Sequence, residues 1–470
     1  MSPLDPDFDR FATSRAHQAR AHRLIPGGAH TYAKGDDQMP EWMPVVVDRG
    51  EGAHVWDLDG NRFIEYGQGL RAVTLGHAEP RVVAAAVRQM ERGTNFSRPA
   101  RVELEAAEAF LDLVGAECVK FCKDGSSATT AAVKVARAAT GRDTVAMCGD
   151  HPFLSQDDWF IGTTPMDAGI PQAVKDLTVA FPYGDLGALV DVLDAHRPAC
   201  VIMEAVRDES DPTDYLRACI AACRERGVVF VLDEMITGFR WSARGAQGLF
   251  GLDPDLSTFG KALANGHSVS ALAGRRDLMA AGGLDTDADR VFLLSSTHGA
   301  ETHGLAAAVE TMRIARADDV EDQLMRQGAR LREGVAEVVR QSGAEGFVGT
   351  AGRDCNLVFY TRDPDGAASQ PYRTLFLQEL TRRGVLAPSF VITTAHTDPV
   401  IDETVEAVAG ALAVYVRALD AGTTDGFLLG RPVQPVFRKE AGTVWTSVSR
   451  SGGDGAVSAH PRIRATPQDS

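Results

Sequence analysis

The 470-residue chain has little that would take it to a membrane, to nucleic acid or out of a reducing compartment. It has no excess of positive charge. With 64 acidic residues against 48 basic ones its formal net charge is −16, and binding a phosphate backbone needs a basic face. A local basic pocket for a small anion is still compatible with that balance. Long apolar runs are also missing: the longest uncharged one, Ala407 to Val416, is too short to cross a bilayer. The acidic start MSPLDPDFDR lacks the apolar segment of a secretion signal. The seven cysteines are scattered, without a paired framework. Cys219 and Cys223 suit one face of a helix, but no further metal ligands stand near them. Buried thiols in a reducing cytoplasm, no metal, no nucleic acid and no membrane are therefore expected.

What is present is ordinary for a globular protein, with 44% hydrophobic and 24% charged residues. The length suits a large catalytic domain with a smaller companion. Residues 1–75 hold a helical start, a Pro26-Gly27-Gly28 turn and a hairpin, PVVVDRGEGAHVWDLDGNRFIEYG, with Asp59-Gly60 as its turn signal. From 76 to 335 strands and helices alternate. VVAAAVRQM and VELEAAEAFLDLV are helical; VKFC, TVAM, CVIME, VVFVLD and LSTFG are short apolar strands. That alternation predicts an α/β fold with a large, doubly wound, mostly parallel sheet. Residues 336–423 read as helix, strand (NLVFYT), helix and final helix, forming a small α+β domain that the N-terminal hairpin completes. Residues 424–470 form an extension. FLLGRPVQPVFR in it is apolar enough to pack on the body, and the Gly- and Ser-rich end is expected to be disordered.

Two short strands carry the chemistry. VVFVLD ends on Asp233, and in a doubly wound sheet ligands sit beyond the carboxyl ends of strands. A carboxylate there can pair with a cationic ring nitrogen. LSTFG leads at once to Lys261. A lysine at the end of a buried strand is costly unless it is paired or chemically used, and desolvation makes it an imine-forming nucleophile. Each residue alone has a bland alternative, a lysine reaching water or a loop carboxylate. Together they match the needs of pyridoxal 5'-phosphate (PLP). Upstream, Gly125, Ser126 and Ser127 open a helix rich in Ala and Val. A helix start with exposed amides and hydroxyls is an anion site suited to the PLP phosphate.

In this order the motifs resemble the class III aminotransferases of fold type I, in the branch of glutamate-1-semialdehyde aminomutase. The resemblance covers roughly residues 20 to 420. IPGGAHTYAKG, GAHVWDLDGNRFIEY, LGHAEP, the Gly-Ser loop, DDWFIGTT, VIMEAV, FVLDEMITGFR, TFGKALANG and the late AHTD carry it. It implies that Lys261 bonds the cofactor and shuttles a proton. It implies that Asp233 keeps the pyridine nitrogen protonated, and that Gly125 and Ser126 bind the phosphate with Ser127 nearby. Glu204 then matches an acidic position near the active site, and Thr297 a threonine that reaches the phosphate across the interface of a homodimer.

The chain also departs from that pattern. The phosphate loop reads Lys-Asp-Gly-Ser-Ser in place of Asn-Ser-Gly-Thr-Glu. The aromatic that stacks on the cofactor is replaced by a segment in which His151 or Phe153 takes the role. The serine and arginine of the substrate turn become Thr31 and Lys34, and Arg71 stands where a small residue is usual. Lys34 and Arg71 either bind an anionic group of the substrate or make interdomain salt bridges. The run Pro388 to His396 is about four residues shorter than its counterpart and has no acidic residue, which would open the site to a larger acceptor. The leading expectation is a transfer from an amino acid donor such as L-glutamate to a ketone or aldehyde, a sugar or cyclitol precursor. An intramolecular aminomutase and a non-catalytic PLP-binding protein are the alternatives.

Overall fold

The computed structural model describes residues 8–206, 211–287, 289–299 and 301–438. The disorder expected for the end of the chain falls on 439–470, outside the described residues. The strands are β1 (Val47–Glu51), β2 (His54–Asp57), β3 (Arg62–Glu65), β4 (Cys118–Cys122), β5 (Val145–Cys148), β6 (Thr178–Phe181), β7 (Cys200–Glu204), β8 (Val229–Asp233), β9 (Leu256–Phe259), β10 (Ser270–Gly274), β11 (Val348–Ala351), β12 (Val358–Thr361) and β13 (Val385–Leu386).

Seven strands form the central sheet, in the order β4-β10-β9-β8-β7-β5-β6. From β9 to β6 the neighbours run parallel, whereas β10 lies antiparallel to both β9 and β4. The inner strands read as unbroken apolar runs because helices cover both faces. Cys200, Ile202, Val229 and Val231 pack under the helix Gly125–Thr140. Val201, Met203, Phe230 and Leu232 pack on the opposite face, under the helices Leu186–His196 and Thr213–Glu225. The sequence reading misses β6, which is partly exposed, and β10, whose SALAG is buried but poor in β-branched residues.

A second sheet has the order β1-β2-β3-β13. The predicted turn forms at Gly60, with the Asp57 carboxylate accepting the Asp59 and Asn61 amides at 3.0 and 2.7 Å. Joining β3 in parallel, β13 brings chain from the C-terminal part into the N-terminal sheet. Ile64 and Tyr66 share one core with Leu331, Tyr372, Phe376, Phe390 and Tyr415. NLVFYT supplies β12, and its antiparallel partner β11, a weak VGTA strand, goes unpredicted. The extension packs on the body as far as it is described. The Leu429 amide donates to Gln378 Oε1 at 2.8 Å, and the Val433 amide to Thr374 Oγ1 at 2.9 Å.

Candidate active site

The site grows from the register of three parallel strands. Glu204 on β7 lies opposite Asp233 on β8, and Asp233 lies opposite Thr258 on β9. Three functional side chains thus align at the carboxyl edge of the sheet, where parallel strands leave room for a ligand. Two residues on, Gly260 ends the strand and Lys261 opens a short 3-10 turn, Lys261–Ala264. Lys261 has a left-handed φ of +44°. Such a conformation costs a residue with a Cβ about 1–2 kcal/mol and persists where surrounding structure enforces it.

Asp233 is buried. Its Oδ1 accepts the Met235 amide at 2.9 Å and the Thr258 hydroxyl at 3.2 Å, leaving Oδ2 without a hydrogen-bond partner among the described residues. Burial pushes its carboxyl up to about 6, against the pull of Lys261 and the two hydrogen bonds. The Lys261 ammonium is pushed down, first by burial, with Asp233 and Glu204 opposing and Arg71 and Arg240 adding to the depression. A buried acid with an open oxygen and a desolvated amine fit a cofactor that brings a cationic ring nitrogen and a carbonyl.

The helix Gly125–Thr140 starts against the same floor. A Cβ on Gly125 would fall 2.9 Å from Met235 Sδ, and one on Gly260 would fall 2.7 Å from the same atom. One sulfur therefore separates the helix start from the Lys261 turn. Asp124 caps this helix, its carboxylate accepting the Ser127 amide at 2.8 Å and the Ser127 hydroxyl at 3.0 Å. Among the described residues the amides of Gly125 and Ser126 have no acceptor. Ser126 is buried, and its Oγ accepts the Gln156 amide at 2.9 Å. Two orphan amides at a helix start fit a phosphate.

The remaining candidates divide. His151 is buried beside Glu204, its Nδ1 accepting the Glu204 amide at 3.1 Å and its ring 5.8 Å from that of Tyr183. Phe153 is half exposed and packs instead on Phe160 and Phe437. Arg71 faces the field of Glu204 while burial depresses its pKa, and its Nε donates to Asn356 Oδ1 at 2.9 Å. It ends a left-handed run in which Gln68, Gly69, Leu70 and Arg71 have φ of 46°, 60°, 60° and 73°. Thr31 and Lys34 are exposed. Lys34 lines a cavity with Gly69, His77, Asn265 and His267. Thr297 is exposed, with its carbonyl accepting from Asn95 at 3.1 Å.

Sequence reasoning misses two residues that hold this arrangement. Arg240 is fully buried. It donates to the carbonyls of Ile392 and Val73, each at 2.7 Å, and to Thr74 Oγ1 at 3.1 Å. Asn265, at the end of the Lys261 turn, accepts the Thr74 and Leu75 amides, each at 2.9 Å. Both lie in motifs that carry the resemblance, FVLDEMITGFR and TFGKALANG, but nothing in those motifs tells what either side chain meets. In the run Pro388 to His396, Phe390, Val391, Ile392, Thr393 and His396 are fully buried, so the run is a packed wall.

Comparison with known proteins agrees with this geometry. The family model Aminotransferase class-III matches residues 32–153 and 168–402. Glutamate-1-semialdehyde 2,1-aminomutase of Chloroflexus aggregans is 32% identical over 86% of this chain and 98% of its own. The 3-aminobutyryl-CoA aminotransferase of Cloacimonas acidaminovorans is 30% identical over 87% and 99%. Among solved structures, the FumI protein of Sphingopyxis sp. MTA144 in a PLP form superposes with a TM-score of 0.80 at 27% identity, covering 89% of this chain and 100% of that one. Among the described residues no helix is long and apolar enough to cross a membrane, and no group of three His, Cys, Asp or Glu could hold a metal. The chain belongs to the class III aminotransferases, in the glutamate-1-semialdehyde aminomutase-like branch, and is a PLP-dependent aminotransferase of fold type I.

Proposed function

We propose an intermolecular aminotransferase that takes an amino group from L-glutamate and delivers it to a ketone or aldehyde, a polyhydroxylated sugar or cyclitol precursor. The observation that carries this reading is Arg71, a guanidinium held by a strained left-handed run in the field of Glu204 and Lys261. A guanidinium there offers the donor carboxylate a two-pronged partner, which the exposed Lys34 cannot. Lys34 and Thr31, both exposed, would meet the acceptor.

When bound, PLP supplies a reactive carbonyl and an electron-withdrawing ring. Lys261, whose charged form burial disfavours, would bond the cofactor and move the proton. Asp233 would hold the ring-nitrogen proton through Oδ2. The amides of Gly125 and Ser126 would hold the phosphate, Ser127 would support them through the Asp124 cap, and Thr297 would reach it across a homodimer interface. His151, fixed by the Glu204 amide, would cover the ring face, a role for which its burial beside Glu204 favours it over the half-exposed Phe153. Residues 76–335 form the PLP-binding domain, with 1–75 and 336–423 as the small domain, and the protein works in the cytoplasm.

A second reading, an intramolecular aminomutase, is favoured by the 32% identity to such an enzyme. Two separate incubations decide between them. With glutamate alone, the proposal expects stoichiometric 2-oxoglutarate and the spectrum of the aminated cofactor. Efficient conversion of glutamate-1-semialdehyde to 5-aminolevulinate, with no 2-oxoglutarate from glutamate, would overturn it.

A further inference from the structure

The helix start assigned to the cofactor phosphate already holds a carboxylate. Asp124 is the N-cap of Gly125–Thr140 and takes the third amide of the helix, that of Ser127, together with its hydroxyl. A neutral cap would satisfy the same amide without adding charge. The cation next to it in the chain does not cancel the carboxylate. Lys123 is paired with Glu301, which also meets His298 Nδ1 at 3.2 Å. The lysine that precedes Asp124 is thus already taken by an acid, Glu301.

We infer that Asp124 is a determinant of cofactor affinity: its charge weakens the hold on the PLP phosphate while its cap keeps the two binding amides in place. The inference rests on assigning the phosphate to Gly125 and Ser126. The helix dipole and the orphan amides attract an anion, and a capping carboxylate at the same helix turn uses part of that field and repels the phosphate. The repulsion acts on the phosphate alone, because the pyridine ring meets Asp233 and the carbonyl meets Lys261. The cofactor is consequently held more by its ring and its bond to lysine, and less by its phosphate, than in a chain with serine at this position. Salt screens such a repulsion where solvent reaches it, so the difference is largest at low ionic strength.

Equilibrium dialysis of the full chain against PLP and against pyridoxal, which lacks the phosphate, tests this. Wild type is compared with Asp124→Asn and Asp124→Ser, both good caps. Each variant is expected to bind PLP on the order of tenfold more tightly at low salt, with pyridoxal binding unchanged and the gain shrinking as salt rises. Inorganic phosphate should compete with PLP more strongly in the variants. If PLP affinity stays the same, or PLP and pyridoxal shift together, the charge of Asp124 does not act on the phosphate and the inference falls. If wild type and both variants alike bind PLP and pyridoxal equally, the phosphate assignment itself falls, and the inference with it. Thermal melts of the dialysed proteins identify a variant whose helix has lost its cap, because that variant loses stability with either ligand.

Discussion

Lys261 and Asp233 depend on each other's charge in a place with little water. Borohydride reduction of the holoprotein followed by peptide mapping is expected to leave the cofactor on Lys261; a label on any other lysine ends that assignment. Lys261→Ala should lower turnover beyond roughly 10⁴-fold, since both bonding and proton transfer go through one amine. Asp233→Ala should keep part of its cofactor, through the phosphate and Lys261, and lose about 10²–10³-fold in the half-reaction with glutamate. Near wild-type rates would remove Asp233 from the mechanism. Next to it, Glu234 is fully buried and accepts the Ala246 and Gln247 amides at 2.8 and 2.7 Å. Burial pushes its carboxyl from an ordinary 4.5 up to about 7. A raised folded-state value means that stability is fully present below the unfolded value and is lost as pH rises through the folded one. Relative to Glu234→Gln, which does not titrate, wild type should lose melting temperature between about pH 4.5 and 7. Parallel curves for the two proteins over that range would contradict the shift.

At the scale of elements, the turn after β9 does what the strand cannot. The strand brings Lys261 to the carboxyl edge, and the 3-10 turn Lys261–Ala264 then ends on Asn265, itself left-handed at φ 44°. Asn265 joins this turn to residues 74–76, accepting two amides and donating to the Gly76 carbonyl at 3.1 Å. Asn265→Ala leaves those three backbone groups without partners and places a Cβ-bearing residue with no side-chain amide in a left-handed conformation. The cost should be about 3 kcal/mol or more, read as a loss of urea stability. A loss under about 1 kcal/mol would show that water replaces the side chain. Asn265 also explains why the sequence reading stops at the lysine: TFGKALANG identifies the turn, but nothing in it announces a partner almost 190 residues earlier.

At the scale of the whole molecule, the described residues leave an apolar stripe uncovered. On the helix Pro80–Met90, Val83, Val87 and Met90 recur at i, i+4 and i+7 and are 40%, 45% and 52% exposed, with Phe96 nearby at 49%. A stripe of that kind suits the proposed homodimer contact. Val87→Glu should shift the protein toward monomer in sedimentation velocity and lower activity with it. A variant that remains dimeric and active would place the interface elsewhere. Much of the architecture was readable beforehand: buried runs such as VVFVLD have one stable place between two helix layers, and Asp57–Asn61 has one cheap way to turn. The weak strands β6, β10 and β11 were not, because their pairing comes from neighbours and not from their own residues.

Local order determined where the carboxyl edge of the sheet falls, since buried apolar runs such as VVFVLD and LSTFG must end where their helix cover ends. It set Asp233 at the end of β8, Lys261 just beyond β9 and the opening of a helix at Gly125. Tertiary structure alone decided what surrounds each of two nearby rings. His151 is buried against Glu204 while Phe153 packs on the extension, a choice set by contacts to Tyr183 and Phe437 far along the chain. It also decided that Arg240 is a buried tie and that the run Pro388–His396 is a wall. An arginine or a short loop reads the same in sequence whether it meets water or carbonyls, and only the fold determines which surrounds it.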